Sequence, residues 1–191
     1  MRWAKTYDYP LAVQFEDVDF QRVVHHPNYL KYCERARVAA MDEAGYPFAQ
    51  LLADGFGLVI ADVRLTYRNP MVFGKSYWVQ SRLAAVSSAS FRVRQVIHDD
   101  AEGQRNRLDN ADVEDWEQSG PFSAIADIVL VHVALDNIGI DEGSGRGRVP
   151  VSVPVPFSNN LLQILGIQAI ADGRLDSETK TILRSNKVRL R

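Results

Sequence analysis

Two carboxylates and two histidines stand close together within the first thirty residues. Phe15-Glu16-Asp17-Val18-Asp19 is followed, after Phe20-Gln21-Arg22, by Val23-Val24-His25-His26-Pro27-Asn28. Leu11, Val13 and Phe15 alternate with polar residues at the period of a half-buried strand, and that register carried forward sets Asp17 and Asp19 on the inward side. Pro27 suits the first turn of a helix, where a missing N–H costs nothing. A helix start offers free N–H groups and partial positive charge, which favour a carbonyl oxygen turning into an oxyanion. A carboxylate beside it could attack that carbonyl or deprotonate a water that does. The pattern also has a plainer reading, because aspartates ahead of a helix commonly cap it or build turns.

The elements that must position these residues follow from periodicity. A helix is predicted from Pro27 to about Ala44, stopped by Gly45, with Leu30, Cys33, Ala36, Ala40 and Ala44 along one face. Most of these are small, so the helix can approach a sheet closely. A short helical turn is expected at Phe48–Ala53. Strands are expected around Val59–Tyr67, Tyr77–Leu83, Phe91–Ile97 and Phe122–Leu135, with a hairpin turn at Ser87-Ser88. The last of these is apolar on both faces and should be central or covered. The fold class is α+β, an antiparallel sheet curled around one long helix.

Composition narrows the function classes. The 22 basic and 24 acidic residues nearly cancel, which argues against a nucleic-acid or membrane-surface binder. The single cysteine, Cys33, excludes a disulfide framework and reads as core packing. His98 and His132 have no carboxylate or cysteine at ligand spacing, so no metal site is expected. Met1–Pro10 has no apolar leader-like segment and no apolar run reaches membrane-spanning length, so the expected location is cytoplasmic.

The opening stretch resembles the hotdog-fold acyl-CoA thioesterases of the 4-hydroxybenzoyl-CoA thioesterase group. The resemblance rests on an aromatic-x-Asp-x-Asp segment, a turn, Val-Val, a histidine, Pro-Asn-Tyr and the Glu34-Arg35-Ala36-Arg37 helix. It covers residues 9–45 closely, and Tyr67, Pro70, Gly74, Ser90–Val93 and Ala126–Leu135 more loosely. It implies the hotdog fold, a homodimer or higher homo-oligomer, and acyl-CoA as substrate at the subunit interface, with no cofactor. Carried over by position, Asp19 is the catalytic carboxylate, and the N–H of His26 faces the thioester oxygen. His25, Asp17 and Asn28 fill supporting, substrate-binding positions.

Three features depart from that group. Phe20-Gln21-Arg22 stands where small residues, often glycines, are usual, and should reshape the pocket wall or move the backbone. This departure keeps a second reading open, a hotdog module that binds acyl-CoA without hydrolysing it. A hotdog dehydratase fits less well, since the helix lacks the corresponding His–Pro pattern. Residues 99–118 hold eight acidic and two basic residues and read as an exposed acidic insertion, placed at about 99–120. The hotdog domain is therefore set at 1–150. A C-terminal extension follows at 151–191, helical over 158–171 and ending in a basic, solvated or frayed tail. Gly143–Arg148 reads as a mobile connection.

Overall fold

The computed structural model describes residues 6–86, 89–99, 121–135, 152–154 and 189–190. The elements run β1 (Tyr7–Ala12), a 3-10 turn (Phe15–Asp17), α1 (Asn28–Ala44), α2 (Phe48–Ala53), β2 (Phe56–Tyr67), β3 (Ser76–Val86), β4 (Ser90–Asp99), β5 (Phe122–Leu135), β6 (Ser152–Pro154) and β7 (Arg189–Leu190). The main strands form one sheet in the order β1-β3-β4-β5-β2, with β6 beside β5 and β7 parallel to β3. This is the hotdog architecture, an antiparallel sheet with α1 against its inner face.

α1 lies close to the sheet because its inward stripe is small. Cys33, Ala36, Ala40 and Ala44 are buried there beside Tyr29, Tyr32 and Met41. Facing them are Val79, Leu83, Phe91, Val93, Ile97, Ala124, Ala126, Ile128 and Leu130, at alternate strand positions. Gly45 ends the helix at φ 90°, the left-handed conformation that glycine adopts without Cβ strain. β5 lies between β4 and β2, and its Ala124, Ala126, Ile128 and Leu130 are buried toward α1 while Phe122 and Ile125 are buried against Trp78 and Val96, which accounts for its apolar residues on both faces. Cys33 is fully buried, and burial pushes its thiol up to about 12, so it packs and does not react.

One polar network threads this core. Buried Arg37 donates through Nη1 to Gln95 Oε1 at 2.8 Å. The Gln95 amide in turn donates to Ser81 Oγ at 2.8 Å and to the Cys33 carbonyl at 2.9 Å. Gln95 thereby locks the middle of α1 to β3 and β4. On the opposite face of the sheet, Trp78, Val96, Phe122 and Ile125 form a second, smaller buried cluster, where His98 stacks on Trp78 at 4.3 Å.

The strand expected to run from Leu11 through the aspartates ends at Ala12. Phe15 is 79% exposed, and the chain coils into the 3-10 turn in which the Asp17 side chain accepts the Gln14 N–H. A short polar side chain that bonds the backbone three residues back competes with strand continuation, and here it wins. At the other end, Arg189–Leu190 pairs with Ala85 and Val86 where a solvated tail was expected. The acidic insertion beyond Asp99, Gly143–Arg148 and the helix expected at 158–171 lie outside the described residues, as do Ser87 and Ser88.

Candidate functional site

The loop between the 3-10 turn and α1 closes on itself as a small ladder. Val18 bridges Val24, the Asp19 N–H donates to the Val23 carbonyl at 2.9 Å, and the His25 N–H donates to the Asp17 carbonyl at 2.8 Å. A second bridge, Val23 to Val72, and the Val24 N–H bond to the Met71 carbonyl tie the ladder to the segment before β3. The Met71 N–H is in turn bonded to the Tyr29 hydroxyl. The loop is therefore held by the fold and is not a free surface excursion.

Asp17 is the buried member of the carboxylate pair, 4% exposed. Its Oδ2 accepts the Gln14 N–H at 3.0 Å, and its main-chain carbonyl accepts the buried Asn28 side chain at 2.9 Å as well as the His25 N–H. The Tyr32 hydroxyl is held protonated by burial and by the neighbouring Asp17 carboxylate. Asp17, His25 and Asn28 thus form one locked unit.

Asp19 has a different environment. It is partly exposed, its Oδ1 accepts the Gln21 N–H at 2.7 Å, and its carbonyl accepts the Arg22 N–H at 2.9 Å. Among the described residues Oδ2 has no partner. The pair that alternation set on one side is divided, with one carboxylate built into the loop and the other having an oxygen without a partner among the described residues.

His26 follows the locked unit, at the entrance to α1. Its carbonyl accepts the Tyr67 hydroxyl at 3.1 Å, and Tyr67 packs edge-on against Tyr29 at 5.1 Å. Its own N–H donates to no described group, whereas the N–H of His25 and of Asn28 are both taken up, by Asp17 and His25. Pro27 has no N–H to offer. The His25 and His26 rings are exposed and stack edge to face at 4.7 Å. No hydrogen bond links Asp19 to His26 among the described residues, and the ladder sets Asp19 against Val23. Tyr67 was not picked out as a site residue from sequence. Its position as the last alternating residue before Asn69-Pro70 was the available signal.

The bulky turn lies at the surface. Phe20 is 92% exposed, and Gln21 and Arg22 are exposed too. Arg22 takes φ 64°, the left-handed conformation that a glycine would adopt there without strain. In the single chain these large side chains point into solvent, on a turn whose conformation at Arg22 is one that glycine favours.

No helix among the described residues is long and apolar enough to cross a membrane. The profile of the thioesterase-like superfamily matches residues 13–165. An Aquifex aeolicus protein named a putative esterase is 28% identical over 89 residues, 47% of this chain and 70% of that one. In three dimensions the chain is similar to a 1,4-dihydroxy-2-naphthoyl-CoA thioesterase from Synechocystis. That match has a TM-score of 0.63 at 15% identity, covering 84% of this chain and 96% of that one. It is also similar to the 4-hydroxybenzoyl-CoA thioesterase of Pseudomonas sp. strain CBS-3, with a TM-score of 0.62 at 14% identity, covering 84% and 99%. The profile match spans most of the chain and includes the whole Asp17–Asn28 loop: the chain belongs to the thioesterase-like superfamily, whose common chemistry is thioester hydrolysis.

Proposed function

We propose that the protein hydrolyses an acyl-CoA thioester to the free acid and CoA, with Asp19 as the catalytic carboxylate and the His26 N–H as the oxyanion donor. The observation that carries this is the division of labour in the loop. Asp17, His25 and Asn28 spend their hydrogen bonds on one another, while Asp19 Oδ2 and, at the start of α1, the His26 N–H have no partner among the described residues. The thioester oxygen would sit against the His26 N–H, where the helix terminus stabilises the negative charge that develops on it. Asp19 Oδ2 would then attack the carbonyl carbon to give an acyl-enzyme anhydride that water hydrolyses, or take a proton from the attacking water. In both routes CoA leaves as the thiolate, and the loop supplies geometry fixed before the substrate arrives.

Asp17 and Asn28 act in this reading as positioning residues, and exposed His25 contributes to substrate binding at the rim. The reading uses no cofactor and places the enzyme in the cytoplasm. It also includes a homodimer as the minimum unit, since among the described residues β2 ends the sheet with an unpaired outer edge on which Val59 and Ile60 are 43% and 47% exposed. The non-catalytic alternative rested on Phe20-Gln21-Arg22, and these side chains are directed away from the fold. The test is thiol release from a panel of short-chain, long-chain and aromatic acyl-CoAs. Release from at least one, lost in Asp19→Asn, supports the proposal, whereas tight binding across the panel with no release supports the binding module.

A further inference from the structure

Val24, His25 and His26, consecutive in the loop, each have a main-chain group held from elsewhere in the fold. The Val24 N–H donates to the Met71 carbonyl at 2.8 Å and the His25 N–H to the Asp17 carbonyl at 2.8 Å. At His26 the hold comes from a side chain, the Tyr67 hydroxyl donating to its carbonyl at 3.1 Å. Tyr67 ends β2, and its ring packs edge-on against buried Tyr29, whose hydroxyl accepts the Met71 N–H at 3.1 Å. Just beyond it, the Arg68 N–H donates to the Ser123 carbonyl at 2.9 Å and the Asn69 side chain to the Phe122 carbonyl at 3.0 Å. The end of β2 is thereby tied to β5, and the hydroxyl is delivered from a fixed support.

Two peptide planes meet at His26. The carbonyl of the first, between His25 and His26, accepts the Asn28 N–H at 2.9 Å, so the His26 N–H on the other side of that plane points away from Asn28. The second plane, between His26 and Pro27, has its carbonyl on Tyr67, and Pro27 at φ −68° allows little rotation beyond it. With both carbonyls held, the two soft dihedrals of His26 are pinned and its N–H has one direction. Release of the Tyr67 bond frees the second plane to tilt and spreads that direction. A donor stabilises developing charge best when it is aimed before the charge appears.

We propose that Tyr67 is a positioning residue for hydrolysis, its hydroxyl holding the His26 carbonyl so that the His26 N–H stays aimed at the thioester oxygen. This rests on the functional reading, in which that N–H is the oxyanion donor, and adds a residue that acts through it. Tyr67 exchanges no proton in the reaction. Burial and the neighbouring Tyr29 push its hydroxyl above the usual tyrosine range, so it stays a donor at neutral pH.

The test is Tyr67→Phe in the full chain, assayed for thiol release over the acyl-CoA panel. The ring and its contact with Tyr29 remain and the side chain is 46% exposed, so the melting temperature should move little. kcat should fall roughly tenfold, short of the roughly 10²–10³-fold that follows outright deletion of an oxyanion donor. KM should change less than about twofold, and the pH profile should keep its shape. The factor should be the same for every acyl-CoA hydrolysed, because the thioester carbonyl is common to all. An unchanged kcat in the folded variant would overturn the inference. So would a loss confined to KM that varies with the acyl group, which would make Tyr67 a wall of the pocket. In either case, wild-type release that is lost in Asp19→Asn would leave the functional reading standing. No release by the wild type from any member of the panel would overturn that reading and this inference with it.

Discussion

The Asn28 side chain reaches back eleven residues to bond the main-chain carbonyl of Asp17 at 2.9 Å, joining the first turn of α1 to the turn that carries the acidic pair. Both groups are buried, so the bond fixes where the helix begins relative to the loop. Asn28→Ala removes it and leaves only the His25 N–H on that carbonyl. Loss of one buried hydrogen bond should lower stability by about 1–2 kcal/mol, seen as a fall in the urea midpoint with an unchanged slope. Because the same bond positions His26, kcat/KM should also fall roughly tenfold or more. Full activity in a destabilised variant would show that the bond serves folding alone.

Arg22 gives a prediction about the backbone. At φ 64° a β-branched residue is strained and glycine is not. Arg22→Val should destabilise by about 1 kcal/mol or more. Arg22→Gly should be neutral or gain up to about 1 kcal/mol, its relief of strain opposed by greater freedom in the unfolded chain. Thermal melts of the two variants should therefore diverge in sign or by several degrees. Equal melting temperatures would mean that the turn has another conformation in solution.

How far this region could be read from sequence depended on what governed each segment. α1, α2 and β5 matched their periodicity because burial on a regular face sets them, and Gly45 marked the helix end through its own chemistry. The aspartate segment did not, because the Asp17 side chain bonds the Gln14 backbone and breaks the strand that Leu11 and Val13 announced. Alternation therefore gave the wrong side for Phe15, and it could not separate buried Asp17 from partly exposed Asp19. Tyr67 stood out only as the end of an alternating strand, since its hydroxyl bond to the His26 carbonyl spans 41 residues. The left-handed turn at Arg22 was hidden because a large residue occupies a conformation that usually calls for glycine.

His98 predicts acid sensitivity. It is 3% exposed and stacked on Trp78, its Nε2 has no hydrogen-bond partner among the described residues, and burial lowers its pKa from 6.5 to about 4. The unfolded chain therefore binds a proton at His98 below pH 6.5 that the folded chain refuses until about pH 4. The stabilisation is fully present above pH 6.5 and is lost as pH falls from there toward 4, by on the order of 3 kcal/mol at most. Denaturant titrations between pH 7 and 4 should show this slope in the wild type, and His98→Gln should flatten it. A slope unchanged by the substitution would place the acid-sensitive group elsewhere.

The account stands most directly on Asp19, and steady-state turnover of Asp19→Asn beside Asp17→Asn, on an acyl-CoA the wild type hydrolyses, tests it. Asp19→Asn keeps the shape and the bond to the Gln21 N–H but removes the charge. It should melt close to the wild type, still bind acyl-CoA, and lose turnover by roughly 10²–10⁴-fold. Asp17→Asn disturbs a buried carboxylate and should melt lower, with turnover reduced less than about tenfold at a temperature where it is folded. Near-normal turnover in Asp19→Asn together with abolished turnover in folded Asp17→Asn would contradict the assignment and move the chemistry to the buried carboxylate.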